Sequence, residues 1–231
     1  FDGTSYEELA EAVEDEDVDD IKEILKDKSL DVDYIEPKFG QTLLMMAVVN
    51  KRTKSVKALL ECGADPNKRD DEDETALTKA CDYPLMLDCS TEIIKILLDH
   101  KADPNTVVNW SEPYNGSQHT TPLMRASLGG CLEHVKILVE YGADINQYTL
   151  YPGYGAITES IMLHQMDITK YLVIDAGAEI PEYCFIRINP NDSTLNDSLT
   201  VVEFLMEEKY SDEPKKARIR DEIVEYIRSK E

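Results

Sequence analysis

The sequence predicts an all-α solenoid of about six stacked helix pairs, and three observations predict it. One twelve-residue phrase occurs three times: Val56 to Asn67 reads VKALLECGADPN, Ile94 to Asn105 reads IKILLDHKADPN, and Val135 to Asn146 reads VKILVEYGADIN. A short segment of one pattern precedes each, TLLMMA from Thr42, TALTKA from Thr75 and TPLMRA from Thr121. Thr42 and Thr75 stand 33 residues apart. A unit of this size cannot bury its own apolar face, so successive copies must stack to make a core.

Each element follows from its residues. At the start, YEELAEA and VDDIKEILKDKSLDVD give a pair over about residues 5–33, with Leu9, Ala12, Ile21, Ile24 and Leu25 on its inner faces. In the three central units Thr42, Thr75 and Thr121 read as N-caps, because a threonine oxygen can accept from the free N–H groups of a first turn, and Pro122 sits where a helix tolerates proline. Leu44 and Ala47, Leu77 and Ala80, and Leu123 and Ala126 are each three apart, hence on one helix face. In the second helices the stripe Val56, Leu59, Leu60 recurs at i, i+3, i+4. Gly63 and Gly142 supply the left-handed residue that ends a helix; Lys101 takes that place in the second unit and is expected to be mildly strained. A fourth, degraded unit runs from Gly155 through ITES and ITKYLVIDAGAEI, with its threonine cap gone, Gly177 as terminator and one extra residue near Ala176. The last pair combines LTVVEFL with the run Glu213 to Arg228, where Ile219, Ile223, Val224 and Ile227 should face inward.

The pattern TPLHxA followed by VKLLLxxGADxN is what ankyrin repeats look like, and this chain resembles that family over about residues 5–230, most strongly over 40–147. The resemblance implies one domain over 1–231. Its parts are a cap-like pair at 5–36, a repeat at 37–70, a repeat with insertions at 71–116, a repeat at 117–150, a degenerate repeat with a long loop at 151–197, and a cap-like pair at 198–231. It also implies β-hairpin-like loops on one side, whose tips join the short first helices in a concave binding face. The family's variable contact positions fall on Lys38, Phe39, Asp71, Glu72, Glu74, Tyr83, Gln118 and Leu128. To these we add the aromatics of the irregular loops, Trp110, Tyr114, Tyr148, Tyr151 and Tyr154, since Tyr and Trp dominate interface hot spots. Departures from the period lie at 82–89, 106–120 and 182–197, and the partner is expected at the second, which holds the only Trp.

Composition narrows the function. Lys+Arg 24 against Asp+Glu 47 gives a formal net charge of -23. Such a chain repels phosphate, which argues against nucleic acid and anionic lipid and in favour of a protein partner, a basic one fitting best. The acidic runs Glu14 to Asp20 and Asp70 to Glu74 lack the spacing and central glycine of a calcium loop; the first reads as a solvated connection, the second as a hairpin tip. The five cysteines show no CxxC pair and read as buried free thiols. The sequons at Asn109, Asn115, Asn191 and Asn196 read as coincidence. His100, His119, His134 and His164 are dispersed, and no Walker, Rossmann, GxSxG or HExxH string occurs, so neither catalytic residue, metal nor cofactor is expected. The longest apolar run, Leu43 to Val49, is far too short for a bilayer. A monomeric, cytoplasmic interaction protein is the expectation, the alternative being an acidic immunity-type or inhibitor protein that neutralises a basic toxin or nuclease, with an enzyme or metal-binding protein the remotest reading; residues before Phe1 are free to have carried a signal.

Overall fold

The computed structural model describes residues 5–82, 89–112, 116–148, 155–181, 185–187, 197–207 and 213–230. Its helices come in successive pairs: α1 (Ser5–Glu14) with α2 (Val18–Ile24), α3 (Leu43–Val49) with α4 (Thr53–Glu61), and α5 (Ala76–Ala80) with α6 (Glu92–Asp99). The pairs α7 (Pro122–Gly129) with α8 (Leu132–Glu140), α9 (Ala156–Met162) with α10 (Met166–Lys170), and α11 (Val201–Glu207) with α12 (Pro214–Arg228) complete the order. First helices pack in one row from α1 through α9, and second helices pack behind them, α2 on α4, α4 on α6, α8 on α10 and α10 on α12. Among the described residues three antiparallel strand pairs run between the helix pairs: β1 (Ile35–Glu36) with β2 (Gln41–Thr42), β3 (Val108–Glu112) with β4 (Gly116–Thr120), and β5 (Phe185–Arg187) with β6 (Asp197–Leu199).

The caps form as the side chains dictate. Thr42, Thr75 and Thr121 each accept a hydrogen bond from the N–H three residues on, at 3.2, 3.3 and 3.2 Å. In α9, where Gly155 has no side chain to offer, Thr158 accepts from the Gly155 N–H at 2.7 Å and supplies the other half of a capping box. The predicted stripes are the core. Leu44, Leu77 and Leu123 of the first helices and Val56, Ile94 and Val135 of the second are all buried. A fully buried side chain of this size contributes about 1.5–3 kcal/mol.

The GADPN phrase has a structural purpose at the root of each inter-pair connection. The carboxylates of Asp65, Asp103 and Asp144 accept from the N–H of Asn67, Asn105 and Asn146 two residues on, each at 2.9 Å. That turn aims each asparagine at the next repeat. Asn67 donates to the Lys101 carbonyl at 2.9 Å and accepts from the Asp103 N–H at 2.7 Å. Asn105 repeats this with Gly142 at 3.0 Å and Asp144 at 2.7 Å, and Asn146 accepts from the Glu179 N–H at 2.8 Å. The carbonyls thus satisfied belong to residues at the left-handed helix ends. Gly142 takes a φ of 89°, and Lys101 is held at 70° despite its side chain, which is the strain the sequence predicted.

The extra residue near Ala176 is absorbed as a π-helical turn, Tyr171–Asp175, continuing α10. The Ala176 N–H donates to the Tyr171 carbonyl at 2.8 Å, five residues back, so one residue is added without breaking the helix.

One expectation is corrected and one is extended. The cysteines are not all free: Cys62 and Cys81 are, but Cys89 and Cys131 are paired as a disulfide with Cα atoms 5.7 Å apart, tying the end of the 82–89 insert to the start of α8. Cys184 lies outside the described residues. The acidic run at Glu14 to Asp20 is also more than a solvated connection. Glu14 pairs with Arg52, Glu16 accepts from the Lys54 N–H at 2.8 Å, and Asp17 caps α2. Glu14 and Glu16 thereby fasten the first pair to the second, while Asp17 closes a helix of its own pair.

Candidate functional site

Asp70 to Glu74 form a tight turn ahead of α5. One Asp70 carboxylate oxygen accepts from the N–H groups of Glu72 and Glu74, both at 2.9 Å, and the Asp70 N–H donates to the Glu74 carbonyl at 2.9 Å, while Asp73 adopts a φ of 64°. This winding splits the acidic cluster in two. Asp70 and Glu74 turn inward and are buried; Asp71 and Glu72 turn outward and are exposed.

The inward pair meets two cations from the first helices. Lys79 of α5 lies 2.8 Å from Asp70 and 3.4 Å from Glu74, and Arg125 of α7 reaches back 2.7 Å to Glu74. All four side chains are 8% exposed or less. Glu74 is therefore corrected as a partner-contact residue: its carboxylate is consumed inside the stack, where it offsets the burial of Arg125. Burial disfavours the Lys79 charge, but hydrogen bonding and attraction from Asp70 and Glu74 outweigh it and hold the Lys79 pKa above the ordinary lysine value. The sequence held a signal for this network, since TKA and MRA place cations at the same helical position facing DDEDE, yet the pairing spans 51 residues.

The outward pair meets the preceding hairpin. The Asp71 N–H donates to the Gly40 carbonyl at 3.2 Å, and any side chain at residue 40 would meet the Asp71 carboxylate, a Cβ there lying 2.6 Å from Oδ2. Lys38 and Phe39 stand on that same hairpin tip, with the Lys38 ammonium 5.0 Å from the Phe39 ring centroid and the ring 57% exposed. Four predicted contact residues, Lys38, Phe39, Asp71 and Glu72, are thus gathered on two adjoining tips. An exposed ring on a tip that adjoins outward carboxylates can seat an apolar side chain while the acidic turn attracts a cation.

The other predicted residues are not gathered there. Trp110 and Gln118 are register partners in the long β3–β4 hairpin, whose five-residue strands exceed the two-residue strands of β1–β2. That hairpin is fastened at its root: Asn109 donates to Asp73 at 3.1 Å, and Arg69 donates to the Val107 carbonyl at 3.0 Å. Tyr148 is half-buried and donates its hydroxyl to the Glu179 carbonyl at 3.0 Å, so it braces the next connection. Leu128 is exposed at the far end of α7, away from its capped end. Tyr83, Tyr114, Tyr151 and Tyr154 lie outside the described residues.

Other chemistry is sparse. His134 is buried with Nε2 2.9 Å from the Ser90 carbonyl, and His100 Nδ1 lies 2.8 Å from the Ile96 carbonyl, both structural bonds. Burial pushes the Cys81 thiol up to about 12, which makes it a poor nucleophile. Among the described residues no group of three or more His, Cys, Asp or Glu is placed to hold a metal ion, and no helix is long and apolar enough to cross a membrane.

Comparison with known proteins agrees with the repeat geometry. A family model described as ankyrin repeats (3 copies) matches residues 9–108 and 70–149. The chain is 30% identical over 173 residues to an ankyrin repeat protein of fowlpox virus, covering 75% of this chain and 36% of that protein. It is 34% identical over 106 residues to the NF-kappa-B inhibitor alpha of Sus scrofa, covering 46% of this chain and 32% of that one. The B-cell lymphoma 3 protein homolog of Mus musculus is 29% identical over 140 residues, 61% of this chain and 29% of its own. The chain therefore spans about a third of the length of these relatives.

Proposed function

We propose, on the premise that the chain belongs to the ankyrin repeat family, whose fold serves as a protein–protein interaction module, that it binds a partner protein without catalysis, on the face built from its hairpin tips and first helices. Six pairs make up the binding unit in this reading, the first and last acting as caps. The observation that carries it is the meeting of Lys38 and Phe39 with Asp71 and Glu72 on adjoining tips. Recognition is by a preformed surface: Phe39 anchors, and the outward carboxylates steer and select.

A second reading is an inhibitor that covers a basic protein. The net charge of -23 favours it, as does similarity to a protein named as an NF-kappa-B inhibitor. One experiment separates the two. The partner is captured from the native cell, identified by mass spectrometry and bound at several salt concentrations by the wild type and by the charge-reversed pair Asp71→Lys, Glu72→Lys. Because both side chains are exposed, unfolding should change by less than about 0.5 kcal/mol. Affinity should fall about ten-fold or more with a shallower salt dependence. Binding that ignores salt removes the inhibitor reading. Binding untouched by the charge reversal and by Phe39→Ala removes the hairpin face altogether.

A further inference from the structure

The joint between the third and fourth helix pairs is built unlike the others. Along the second helices α2 packs on α4, α4 on α6, α8 on α10 and α10 on α12, but α6 and α8 barely touch; along the first helices α7 packs far more closely on α9 than on α5. In a repeat stack each interface adds its own share of stability, so the thinnest interface is where the array divides. A set of polar bonds and one covalent bond span this joint instead. Arg125 reaches Glu74, Asn105 holds Gly142 and Asp144, the Tyr141 hydroxyl donates to Asp99, and His134 Nε2 donates to the Ser90 carbonyl at 2.9 Å. Directly before Ser90, Cys89 is bonded to Cys131.

The two sulfurs of that bond have different surroundings. Cys131 is 1% exposed and stands at the N-cap of the nine-residue helix α8, whereas Cys89 is exposed. An attacking thiolate therefore reaches the Cys89 sulfur and leaves the Cys131 sulfur as the departing group. Negative charge on the departing sulfur is stabilised by the N-terminus of α8. Glu133 in that first turn opposes this little, because its charge is paired with Lys136 at 2.8 Å. Cys89 also holds a left-handed φ of 47°, a conformation unfavourable to a residue with a side chain and kept only where its surroundings impose it. Opening the bond lets that strain relax. The other described cysteines do not compete: Cys62 is half-buried, Cys81 is buried, and burial raises both thiols above the ordinary cysteine value.

We propose that Cys89–Cys131 is a reversible redox latch on this joint, opened and closed by exchange with low-molecular-weight thiols and disulfides of the glutathione class. In opening, a thiolate bonds to the Cys89 sulfur as the Cys89–Cys131 bond breaks, and the electron pair of that bond leaves on Cys131, which takes up a proton. A second thiolate attacks the thiol-derived sulfur of the mixed disulfide and releases Cys89, which is protonated in turn. Two thiols are thus oxidised to one disulfide, the protein gains two electrons and two protons, and the reverse sequence closes the latch. Closed, the bond holds the start of α6 against the start of α8. Open, it leaves that contact to the hydrogen bonds of the joint, and the third and fourth pairs part more readily. This control is independent of which face a partner uses.

Glutathione itself is the probe. The full chain is equilibrated across ratios of reduced to oxidised glutathione, blocked with N-ethylmaleimide and mapped by mass spectrometry, and amide hydrogen exchange is followed at both extremes. Cys89 and Cys131 should open together and close again when the ratio is reversed. In Cys131→Ala glutathione should accumulate on Cys89; in Cys89→Ser, a substitution at an exposed position, it should not reach Cys131. Opening should speed exchange in α6 and the N-terminal half of α8 roughly ten-fold while leaving α3 and α4 unchanged. Cys89→Ser should exchange at the open rate with or without glutathione, which separates loss of the bond from any other action of the reagent. Four results overturn the latch: a bond that reduced glutathione does not open in the folded chain, a pair of thiols that oxidised glutathione does not join, glutathione attached to Cys131 and not Cys89, or opening that leaves exchange in α6 and α8 as it was.

Discussion

The root and the tip of each inter-pair connection are built on different principles. At the roots, Asp65, Asp103 and Asp144 fold one turn, and Asn67 and Asn105 bridge to the next repeat with bonds matching to within 0.1 Å. Among the described residues the tips differ: a hairpin of two-residue strands, a carboxylate-wound turn at 70–74, a hairpin of five-residue strands, and an isolated Tyr148–Gly155 bridge. Regular roots hold the stack in register, so the tips can vary without cost to the fold. The proposed recognition residues accordingly sit at tips, and an acidic tip residue such as Glu74 is an exception that must be explained by the core.

The sharpest way to break this division is at the tip that joins the core. Glu74→Ala removes the carboxylate between Lys79 and Arg125 and should cost about 3 kcal/mol in urea unfolding, since charges of opposite sign lose their partner in a buried site. A loss as small as that of Glu72→Ala would mean the network is not formed. Next in size, Asn105→Ala deletes both bonds to Gly142 and Asp144 and should cost about 1–2 kcal/mol. Hydrogen exchange at the Asp144 amide should rise with it. Thr121→Ala loses only the cap bond to Met124 and should cost about 1 kcal/mol, with fraying confined to α7.

The smallest expected effect sharpens the comparison, because one root departs from the pattern. Asp33 stands where the later roots have asparagine and accepts from the Asp65 N–H at 3.0 Å, but a carboxylate has no proton to donate to the carbonyl of Gly63. Burial raises the Asp33 pKa, against the lowering effect of that N–H. The folded state therefore holds the proton longer than the unfolded one. This contribution to stability is fully present below the unfolded value of about 3.9 and is lost as pH rises through the raised folded value. Asp33→Asn should gain about 0.5–1 kcal/mol at pH 7 and flatten the pH dependence in that window. Destabilisation by this substitution, measured from pH 3 to 7, would mean the first root does not follow the rule of the others.

The helices and their caps were legible because they rest on residues three or four apart. Thr42, Thr75 and Thr121 cap as their spacing implies, and even the extra residue near Ala176 was visible as an offset, although its form as a π turn was not. The Asp turn was latent in GADPN. What the asparagine does next was hidden, because its partners lie 34 to 39 residues away. The neighbourhood of the proposed contact residues was partly legible: Lys38, Phe39, Asp71 and Glu72 fall together, whereas Glu74 reads the same as Glu72 in one dimension and differs only through the winding of its turn.

By itself, the sequence determined the repeating helix pair, its buried stripes, its terminators and the acidic, phosphate-repelling character, all of which depend on local spacing or on simple sums of charge. Only the tertiary structure decided which carboxylates of Asp70 to Glu74 face solvent, and that Cys89 meets Cys131. The reason is that stacking brings together residues one repeat or more apart. Which of two similar side chains is buried then depends on what the neighbouring repeat presents.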